Sequence, residues 1–298
     1  MKEYSFSIII PHKNCPELLV QCVDSLPERD DIQIIVVDDN SDEGKKPVIS
    51  RSGVDVILLD AENAKGAGRA RNVGLEKATG KWLLFSDSDD TFETENLNRM
   101  LDKYQDSEAD IIFFNANRVD EQTGEVLSQH LSKSKYERDA KQYSDFMRYR
   151  SNVPWAKMIR RELVEMNSIQ FSEVPAANDL FFSAVSGYYA KKVLIDFTVI
   201  YDWKVRKSGS ITSTVSKRSI LSKLDQASKK NEFLWSKGEK AWCTNLFTAS
   251  YWRLRGVGFN HNEAMREISR SITVGPKMLW RMEFWLSWPF EAIRRKLH

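Results

Sequence analysis

The sequence lacks the features that mark several protein classes. It has no apolar run approaching the ~18 residues that a membrane-spanning helix requires. Only three of its 298 residues are cysteines, and no two form a Cys-x-x-Cys pair. This excludes a disulfide framework and a zinc-ribbon site. The apolar N-terminal stretch is too short for a secretory signal, so we expect a chain of the reducing cytosol.

Two common phosphate-binding loops are also missing. No Gly-x-x-x-x-Gly-Lys-[Ser/Thr] motif occurs, and the glycines at 66, 68 and 74 do not have the Gly-x-Gly-x-x-Gly spacing of dinucleotide-binding folds. Hydrophobic residues make up 42% of the chain and charged residues 29%, which is typical of a packed globular protein. The same composition excludes wholesale disorder.

Charge and tryptophan are distributed unevenly along the chain. Residues 217–298 contain 16 lysines and arginines against 7 acidic residues, a net charge of +9, whereas residues 1–216 carry a net charge of −7. The C-terminal stretch also holds six of the nine tryptophans. This shift predicts one domain at residues 1–215 and a basic, Trp-rich helical region at residues 216–298.

Short apolar runs alternate with amphipathic stretches in the first half of the chain. Runs that are apolar throughout indicate strands covered on both faces, and their alternation with helices predicts an α/β fold with a mostly parallel sheet flanked by helices. Ligands bind such sheets beyond the carboxyl ends of the strands. The predicted strands are residues 5–10, 32–37, 54–59, 82–85 and 111–114, and the predicted helices are residues 17–26, 67–78 and 96–104.

Two of these strands end in acidic clusters. Asp87 and Asp89 lie two residues apart, so in extended backbone their carboxylates project to the same side. A divalent cation would relieve their repulsion, which predicts a metal site; a solvated turn is the alternative. Asp39 follows another strand, where a carboxylate can accept a hydrogen bond from a nucleobase or ribose, and a capped turn is the alternative there. Arg69 and Arg71 are candidates for contact with a diphosphate or base, or else solvated helix charges.

Four stretches of the sequence, taken in order, form a recognisable pattern. The first three are Phe6–Asn14 (FSIIIPHKN), Ile34–Asp42 (IIVVDDNSD) and Gly68–Asp90 (GRARNVGLEKATGKWLLFSDSDD). The fourth comprises Pro154–Lys157, Ile169–Phe171, Ala177–Phe182, Tyr201–Trp203, Arg206 and Ser210–Thr212. Together they resemble the large family of inverting glycosyltransferases with the GT-A fold, family 2, which includes bacterial polysaccharide and cell-wall enzymes. The resemblance covers residues 5–212 and implies a GT-A sheet followed by a C-terminal helical extension.

The resemblance implies roles for five residues around the donor. Asp39 matches the carboxylate that holds the nucleobase, commonly uracil, and Pro11 lines the same pocket through its backbone. Arg71 matches a basic residue near the nucleotide. Asp87 and Asp89 match the metal-binding Asp-x-Asp motif, with Asp89 as the direct ligand of Mn²⁺ or Mg²⁺ on the donor diphosphate.

Asp179 matches the general base of the family, usually the Asp of a Glu-Asp pair. In this sequence the pair is Asn178-Asp179, so the neighbouring negative charge is absent. An acceptor hydroxyl has a pKa far above 7, so a positioned carboxylate must take its proton as the new bond forms. Attack from the side opposite the leaving diphosphate inverts the anomeric centre. The alternative for Asp179 is a charge that stabilises a helix N-terminus.

The C-terminal region and two tryptophans leave alternatives open. Residues 278–290 are rich in aromatic side chains and precede Arg294–Lys296. This pattern is typical of an interfacial helix on an anionic membrane, and also of a helix packed on the catalytic domain or on a homodimer partner. No RNA or DNA motif supports nucleic-acid binding. Trp155 and Trp203 are candidates for stacking on acceptor sugars, with core packing as the alternative.

The sequence therefore predicts a metal-dependent inverting glycosyltransferase. It would move a hexosyl or N-acetylhexosaminyl group from a nucleotide-diphosphate sugar, a UDP-sugar being expected, to a hydroxyl of a glycan or lipid-linked glycan. We expect a cytoplasmic location, with peripheral contact at the inner face of the membrane as a further expectation. One alternative is a sugar nucleotidyltransferase, although the loop after the first strand lacks that class's glycines. A non-catalytic nucleotide-sugar-binding or assembly protein is the other.

Overall fold

The structure, a computed structural model, describes residues 3–206, 216–278 and 280–285. Two parts of the sequence patterns lie outside these residues. They are Ser210–Thr212, at the end of the region that resembles glycosyltransferases, and the C-terminal stretch that includes Trp288 and the basic residues 294–296. The described residues form an α/β protein with nine strands, the ten α-helices named below and further helical residues at 277–278 and 280–285.

The strands form one sheet in the order β3-β2-β1-β4-β8-β6-β9-β5, with β7 paired to β6. Their order along the chain differs from their order in the sheet, so several neighbours are distant in sequence. The strands are β1 (Phe6–His12), β2 (Ile32–Asp38), β3 (Val54–Leu58), β4 (Trp82–Phe85), β5 (Thr91–Phe92), β6 (Ile111–Asp120), β7 (Val126–Gln129), β8 (Lys157–Arg160) and β9 (Val193–Val205).

The first four strands in this order are parallel, as the sequence predicts. Phe6 of β1 pairs with Ile32 of β2 on one side and with Trp82 of β4 on the other. Every residue of β1, β2 and β4 is buried, which matches the mostly apolar composition of these strands. Because the three strands run the same way, their carboxyl ends meet at one edge of the sheet.

The rest of the sheet is mixed rather than parallel. β8 is antiparallel to both β4 and β6, and β5 and β7 are also antiparallel to their partners, whereas β6 and β9 are parallel. The strand predicted at residues 111–114 continues to Asp120. Its second half is polar and only partly buried, so a search for apolar runs ends too early there.

Helices cover both faces of the parallel half. On one face, α1 and α3 pack on Phe6, Ile8 and Ile10 of β1. On the other face, α2 approaches so closely that a Cβ at Gly74 would overlap the side chain of Ile9. The helices are α1 (Pro16–Asp24), α2 (Ala67–Lys77), α3 (Thr94–Tyr104), α4 (Lys133–Arg138), α5 (Ala140–Arg150), α6 (Arg161–Met166), α7 (Asn178–Tyr189), α8 (Lys217–Ser236), α9 (Leu246–Gly256) and α10 (His261–Ser271).

The chain divides into two compact units. The first comprises residues 1–174 and 182–210 and contains the whole sheet; the second comprises residues 175–181 and 211–298 and contains α8, α9 and α10. The domain boundary expected near residue 215 stays a prediction. The sequence did not predict that residues 175–181 group with the C-terminal helices.

Contacts with α8 connect residues 175–181 to the second unit. The Ser222 hydroxyl donates to the backbone carbonyl of Ala176 at 2.8 Å and accepts from its N–H at 3.3 Å. The ring of Phe181 packs edge-on against Phe233, with 5.8 Å between the ring centroids. This segment therefore has polar and aromatic anchors of its own within the second unit.

Candidate active site

A turn rich in aspartate follows β4 at the carboxyl edge of the sheet. The N–H of Ser86 donates to the carbonyl of Ile9 at 3.1 Å, which extends the β1–β4 ladder to the start of the turn. The turn brings one carboxylate oxygen from each of Asp87, Asp89 and Asp90 within 4.8 Å of one another. The predicted pair Asp87 and Asp89 thus lies together, and the structure adds Asp90 as a third carboxylate.

Asp90 is fixed to β9. Its two carboxylate oxygens accept hydrogen bonds from the Tyr201 hydroxyl and from the backbone N–H of Lys204, both at 2.8 Å. The same hydroxyl accepts a hydrogen bond from the backbone N–H of Asp87 at 3.0 Å. Tyr201 is fully buried. Its hydroxyl therefore holds two residues of the acidic turn in place through hydrogen bonds from a strand that is distant in sequence. Sequence reasoning missed this role because no local pattern links residues so far apart.

The turn holds more negative charge than its surroundings balance. Burial and the neighbouring Asp87 raise the pKa of Asp89, although Arg206 opposes the shift. Burial, Asp87 and Asp89 raise the pKa of Asp90 well above its usual range. A divalent cation would supply the missing positive charge, and carboxylate oxygens are suitable ligands for Mg²⁺ or Mn²⁺. The residues of the turn therefore fit a metal ion.

Two arginines provide part of the compensating charge. Arg71 of α2 donates from Nη2 to Asp87 Oδ1 at 2.5 Å. Arg206 donates to Asp89 Oδ2 at 2.8 Å and, from Nε, to both carboxylate oxygens of Glu121 at 2.8 Å. Arg71 was predicted near the nucleotide, and the structure places it beside the acidic turn. Arg206 was part of the resemblance but had no assigned role.

Asp39 lies one strand away from the acidic turn. It follows β2, which is separated from β4 only by β1, so the two carboxyl ends are ~10 Å apart at the usual strand spacing. The backbone N–H of Gly66 donates to Asp39 Oδ1 at 2.9 Å, and Lys13 Nζ lies 3.3 Å from Oδ2. Gly66 has φ +90°, which favours glycine. Pro11, in β1, pairs with Val37 immediately before this site.

The profile of glycosyl transferase family 2 matches residues 7–166, more than half of the chain and the part that carries both acidic sites. The chain belongs to this family. Among curated relatives, the putative glycosyltransferase EpsH of Bacillus subtilis is 26% identical over 222 residues, or 71% of this chain and 64% of EpsH. Glycosyltransferase GlyG of Streptococcus pneumoniae is 27% identical over 225 residues, covering 70% of this chain and 73% of GlyG.

Solved structures share the GT-A arrangement of this family. The crystal structure of S. aureus TarS 1-349 in complex with UDP-GlcNAc matches with a TM-score of 0.66 at 19% identity, over 90% of this chain and 79% of that one. Mannosyltransferase PcManGT from Pyrobaculum calidifontis, in complex with GDP-Man and Mn²⁺, matches with a TM-score of 0.55 at 15% identity, over 97% and 83%. The likeness confirms the predicted GT-A fold.

The residues next to Asp39 form a hydrogen-bond network of their own. His12 Nδ1 lies 2.7 Å from Asp38 Oδ1, and His12 Nε2 accepts the backbone N–H of Cys15 at 3.2 Å. Ser41 also donates to Asp38. Asp38 is therefore held in this buried network, and the nucleobase-binding role of Asp39 stays a prediction. Arg69, left open by the sequence, lies near Glu173 and Glu76, both at 3.6 Å.

Asp179 lies in the first turn of α7, in the segment that belongs to the second unit. Within that unit, burial and Arg253 lower the pKa of Lys223, and the Asp179 carboxylate opposes this shift. The predicted base is thus close enough to a lysine to interact electrostatically. Its catalytic role stays a prediction.

The described part of the aromatic C-terminal stretch packs within the second unit. Trp280 and Phe284 are buried, and the Phe284 ring lies 4.9 Å from that of Tyr251 in α9. Met278 and Met282 are exposed. No helix within residues 3–206, 216–278 and 280–285 is long and apolar enough to cross a bilayer.

Proposed function

We propose that this family 2 chain is a metal-dependent inverting glycosyltransferase that uses a UDP-sugar. The observation that carries the proposal is the convergence of Asp87, Asp89 and Asp90 beside Arg71, at the same sheet edge as Asp39. The chain spans 64% of EpsH and 32% of the poly(ribitol-phosphate) beta-glucosyltransferase of Bacillus spizizenii, at 26% identity to each. The activity is therefore inferred from the site.

The residues of the first unit would bind the donor. Asp39 would accept a hydrogen bond from the nucleobase, while the backbone of Pro11 lines the pocket. Asp87 and Asp89 would hold Mn²⁺ or Mg²⁺, which when bound neutralises charge on the diphosphate leaving group. Arg71, already in contact with Asp87, would lie beside that diphosphate and orient it through charge-assisted hydrogen bonds. UDP is the expected nucleotide because S. aureus TarS, a structural neighbour, has been crystallised with UDP and with UDP-GlcNAc.

Asp179 would take the proton from the acceptor hydroxyl. A carboxylate on the face opposite the leaving group gives inversion, as in the family that the chain belongs to. Asn178 stands where the family usually has a glutamate, so this chain has no second carboxylate directly before Asp179 in sequence. A hexose or N-acetylhexosamine would be transferred to a glycan or lipid-linked glycan.

Calorimetric titration of UDP, with and without Mn²⁺, tests the donor site. We expect Mn²⁺-dependent binding by the wild type that Asp89→Ala abolishes. Asp60→Ala, at an exposed turn, is the matched control and should bind as the wild type does. If UDP does not bind, GDP, dTDP and CDP are titrated next. Absence of binding by all four nucleotides would refute the proposal.

Turnover distinguishes the enzyme from the two alternatives. Asp179→Asn should lose at least 10²-fold of its transfer rate, the loss expected for a general base, while UDP binding stays within twofold of wild type. Equal loss of both would contradict the base role. UDP-sugar binding without transfer to any glycan would favour the non-catalytic alternative, and release of inorganic pyrophosphate from UTP and a sugar phosphate would favour the nucleotidyltransferase.

Peripheral membrane contact through residues 276–298 is part of the proposal. Because Trp280 and Phe284 are buried, a truncation at residue 276 would expose apolar surface of the second unit. The sharper test is Met278→Gln with Met282→Gln, at two exposed positions of the same stretch. We expect weaker cosedimentation with phosphatidylglycerol vesicles than for wild type. Equal sedimentation, or none by the wild type, would remove this part of the proposal.

A further inference from the structure

A small cleft in the first unit lies between strands β6, β7 and β9, outside the donor site. Its volume is about 170 Å³, below the ~300 Å³ at which pockets for drug-sized ligands begin, so it suits a group of one ring. The donor site described above uses none of its residues. Its lining includes Asn117, Arg118, Ser128, Gln129, His130 and Trp203.

A stack of three aromatic rings connects this cleft to the acidic turn. The ring of Tyr201, whose hydroxyl donates to Asp90, lies parallel to that of Trp155, with 5.2 Å between centroids. Trp155 in turn stacks on Trp203 at 6.1 Å. Tyr201 and Trp155 are buried, but Trp203 is 37% exposed. The stack therefore begins at the acidic turn and ends in the cleft at a partly exposed indole.

Two amides are held in place beside this indole. Asn117 donates to Asp202 Oδ1 at 2.9 Å, and Gln129 donates to Asn117 Oδ1 at 3.4 Å. Each amide carries two N–H donors and an oxygen with two lone pairs, so these contacts leave capacity for a ligand. Arg118 lies over the Trp203 ring, with its Cζ 5.5 Å from the centroid. The orientation of the polar groups is thus set before a ligand arrives.

His130 adds an uncharged polar group to the lining. Burial and the nearby Lys157 lower the pKa of His130 to about 4, so its ring is neutral at pH 7. Its Nε2 lies 3.3 Å from the Ser151 hydroxyl, and its ring packs edge-on against Trp155. The cleft therefore contains one cation, Arg118, while its other polar groups are neutral amides, a hydroxyl and an imidazole.

We propose that this cleft is a subsite for one sugar ring of the acceptor glycan, with Trp203 as its apolar platform. Sugar rings present C–H groups on one face and hydroxyls around the edge, and a partly open indole flanked by fixed amides matches both. A diphosphate would require more positive charge, and an acyl chain would not need the amides. The inference rests on the proposed function, and it assigns acceptor recognition to residues that the donor site leaves unused.

Saturation-transfer NMR on the full chain tests the subsite without knowledge of the natural acceptor. The probes are the methyl β-glycosides of glucose, galactose and N-acetylglucosamine and the β-1,4-linked disaccharides of glucose and N-acetylglucosamine, each with saturating UDP and Mg²⁺. Trp203→Ala removes the platform, and Ser128→Tyr fills the cleft from the exposed strand β7. Phe146→Ala is the matched control, because Phe146 is an exposed aromatic of the same unit outside the cleft.

We expect saturation transfer to at least one probe in the wild type and in Phe146→Ala. Trp203→Ala and Ser128→Tyr should each weaken that binding at least tenfold. No transfer to any probe in the wild type, or equal binding by the wild type and both cleft variants, would overturn the subsite. UDP calorimetry on the same samples reports the donor site separately, so intact UDP binding with no saccharide signal leaves the proposed function standing.

Discussion

Neutralising Asp90 should stabilise the metal-free protein. The Asp90 side chain is buried, and it meets two further carboxylates within 4.8 Å. Asparagine has nearly the same shape and keeps an oxygen to accept the Lys204 N–H. Its NH₂ group would face the Tyr201 hydroxyl, which can rotate to accept instead of donate. Asp90→Asn therefore removes the charge while retaining a partner for each polar atom.

The magnitude follows from the geometry of the turn. At an effective dielectric constant of ~20, two like charges 4.8 Å apart repel by about 3 kcal/mol. Arg71 and Arg206 contact the other two carboxylates and offset part of this repulsion. We expect Asp90→Asn to raise the free energy of unfolding by about 1–2 kcal/mol when Asp90 would otherwise be ionised.

The effect should depend on pH in one direction. The pKa of Asp90 is raised by burial and by its two neighbours, so the native state holds a proton that the unfolded chain has lost. Wild-type stability from this group is complete below the unfolded pKa of ~3.9 and falls as pH rises through the folded pKa, by up to about 1.4 kcal/mol per pH unit. The advantage of Asp90→Asn should therefore grow with pH within this window.

Urea unfolding followed by tryptophan fluorescence, in EDTA at half-unit steps from pH 5 to 8, measures this difference. Asp106→Asn, at an exposed position, is the control and should follow the wild-type profile. Saturating Mg²⁺ should then stabilise the wild type more than Asp90→Asn, because the ion loses one neighbouring negative charge in the variant. Parallel pH profiles of wild type and Asp90→Asn, or a variant less stable at every pH, would refute the reasoning.

Three further predictions concern other parts of the first unit. Tyr201→Phe removes the buried hydroxyl that serves the acidic turn, and we expect urea unfolding to show a loss of about 2–4 kcal/mol; an unchanged midpoint would contradict that role. Cys15 is partly exposed, whereas burial raises the pKa of the Cys22 thiol to about 12, so mass spectrometry after iodoacetamide treatment at pH 7.5 should find Cys15 labelled and Cys22 unlabelled in the native protein. Gly187→Ala would drive a Cβ into the backbone carbonyl of Arg148, and a cost of about 1–3 kcal/mol in urea unfolding is expected; wild-type stability would mean that the two helices separate without cost.

Much of the donor side could be predicted because its signals are local. Asp87 and Asp89 follow a four-residue apolar strand, and their spacing alone indicates that they share one side. Asp39 follows a strand of seven buried residues, so its place at the carboxyl edge follows from the parallel order. The sequence could not predict which residues hydrogen-bond to these carboxylates and shift their pKa values. In the sequence Asp90 looks like an ordinary turn residue, and only the structure shows that Tyr201, 111 positions later, donates a hydrogen bond to it.

In the antiparallel half of the sheet, too, the sequence did not predict contacts between residues that are distant along the chain. The search for apolar runs predicted β6 only to residue 114, because the polar part of that strand joins the sheet by pairing with β9 and has no apolar pattern of its own. That pairing places Trp203 beside Arg118. Just after the end of β9, Arg206 donates to Asp89, 117 positions earlier in the chain. From the sequence, core packing was the favoured interpretation of both Trp155 and Trp203, with stacking on sugars as the other. The structure separates them, since one is buried and the other is partly open.

By itself, the sequence determined the fold class, the parallel half of the sheet, the family and the acidic turn. These depend on hydrophobic periodicity, strand ends and short spacings, which are properties of neighbouring residues. Only the tertiary structure decided how much of the negative charge of the turn is left unbalanced and which residues balance the rest. It also decided that one indole is partly exposed beside fixed amides. Burial and long-range strand pairing set those properties, because a pKa and a binding surface depend on what lies within a few ångströms in space rather than in sequence.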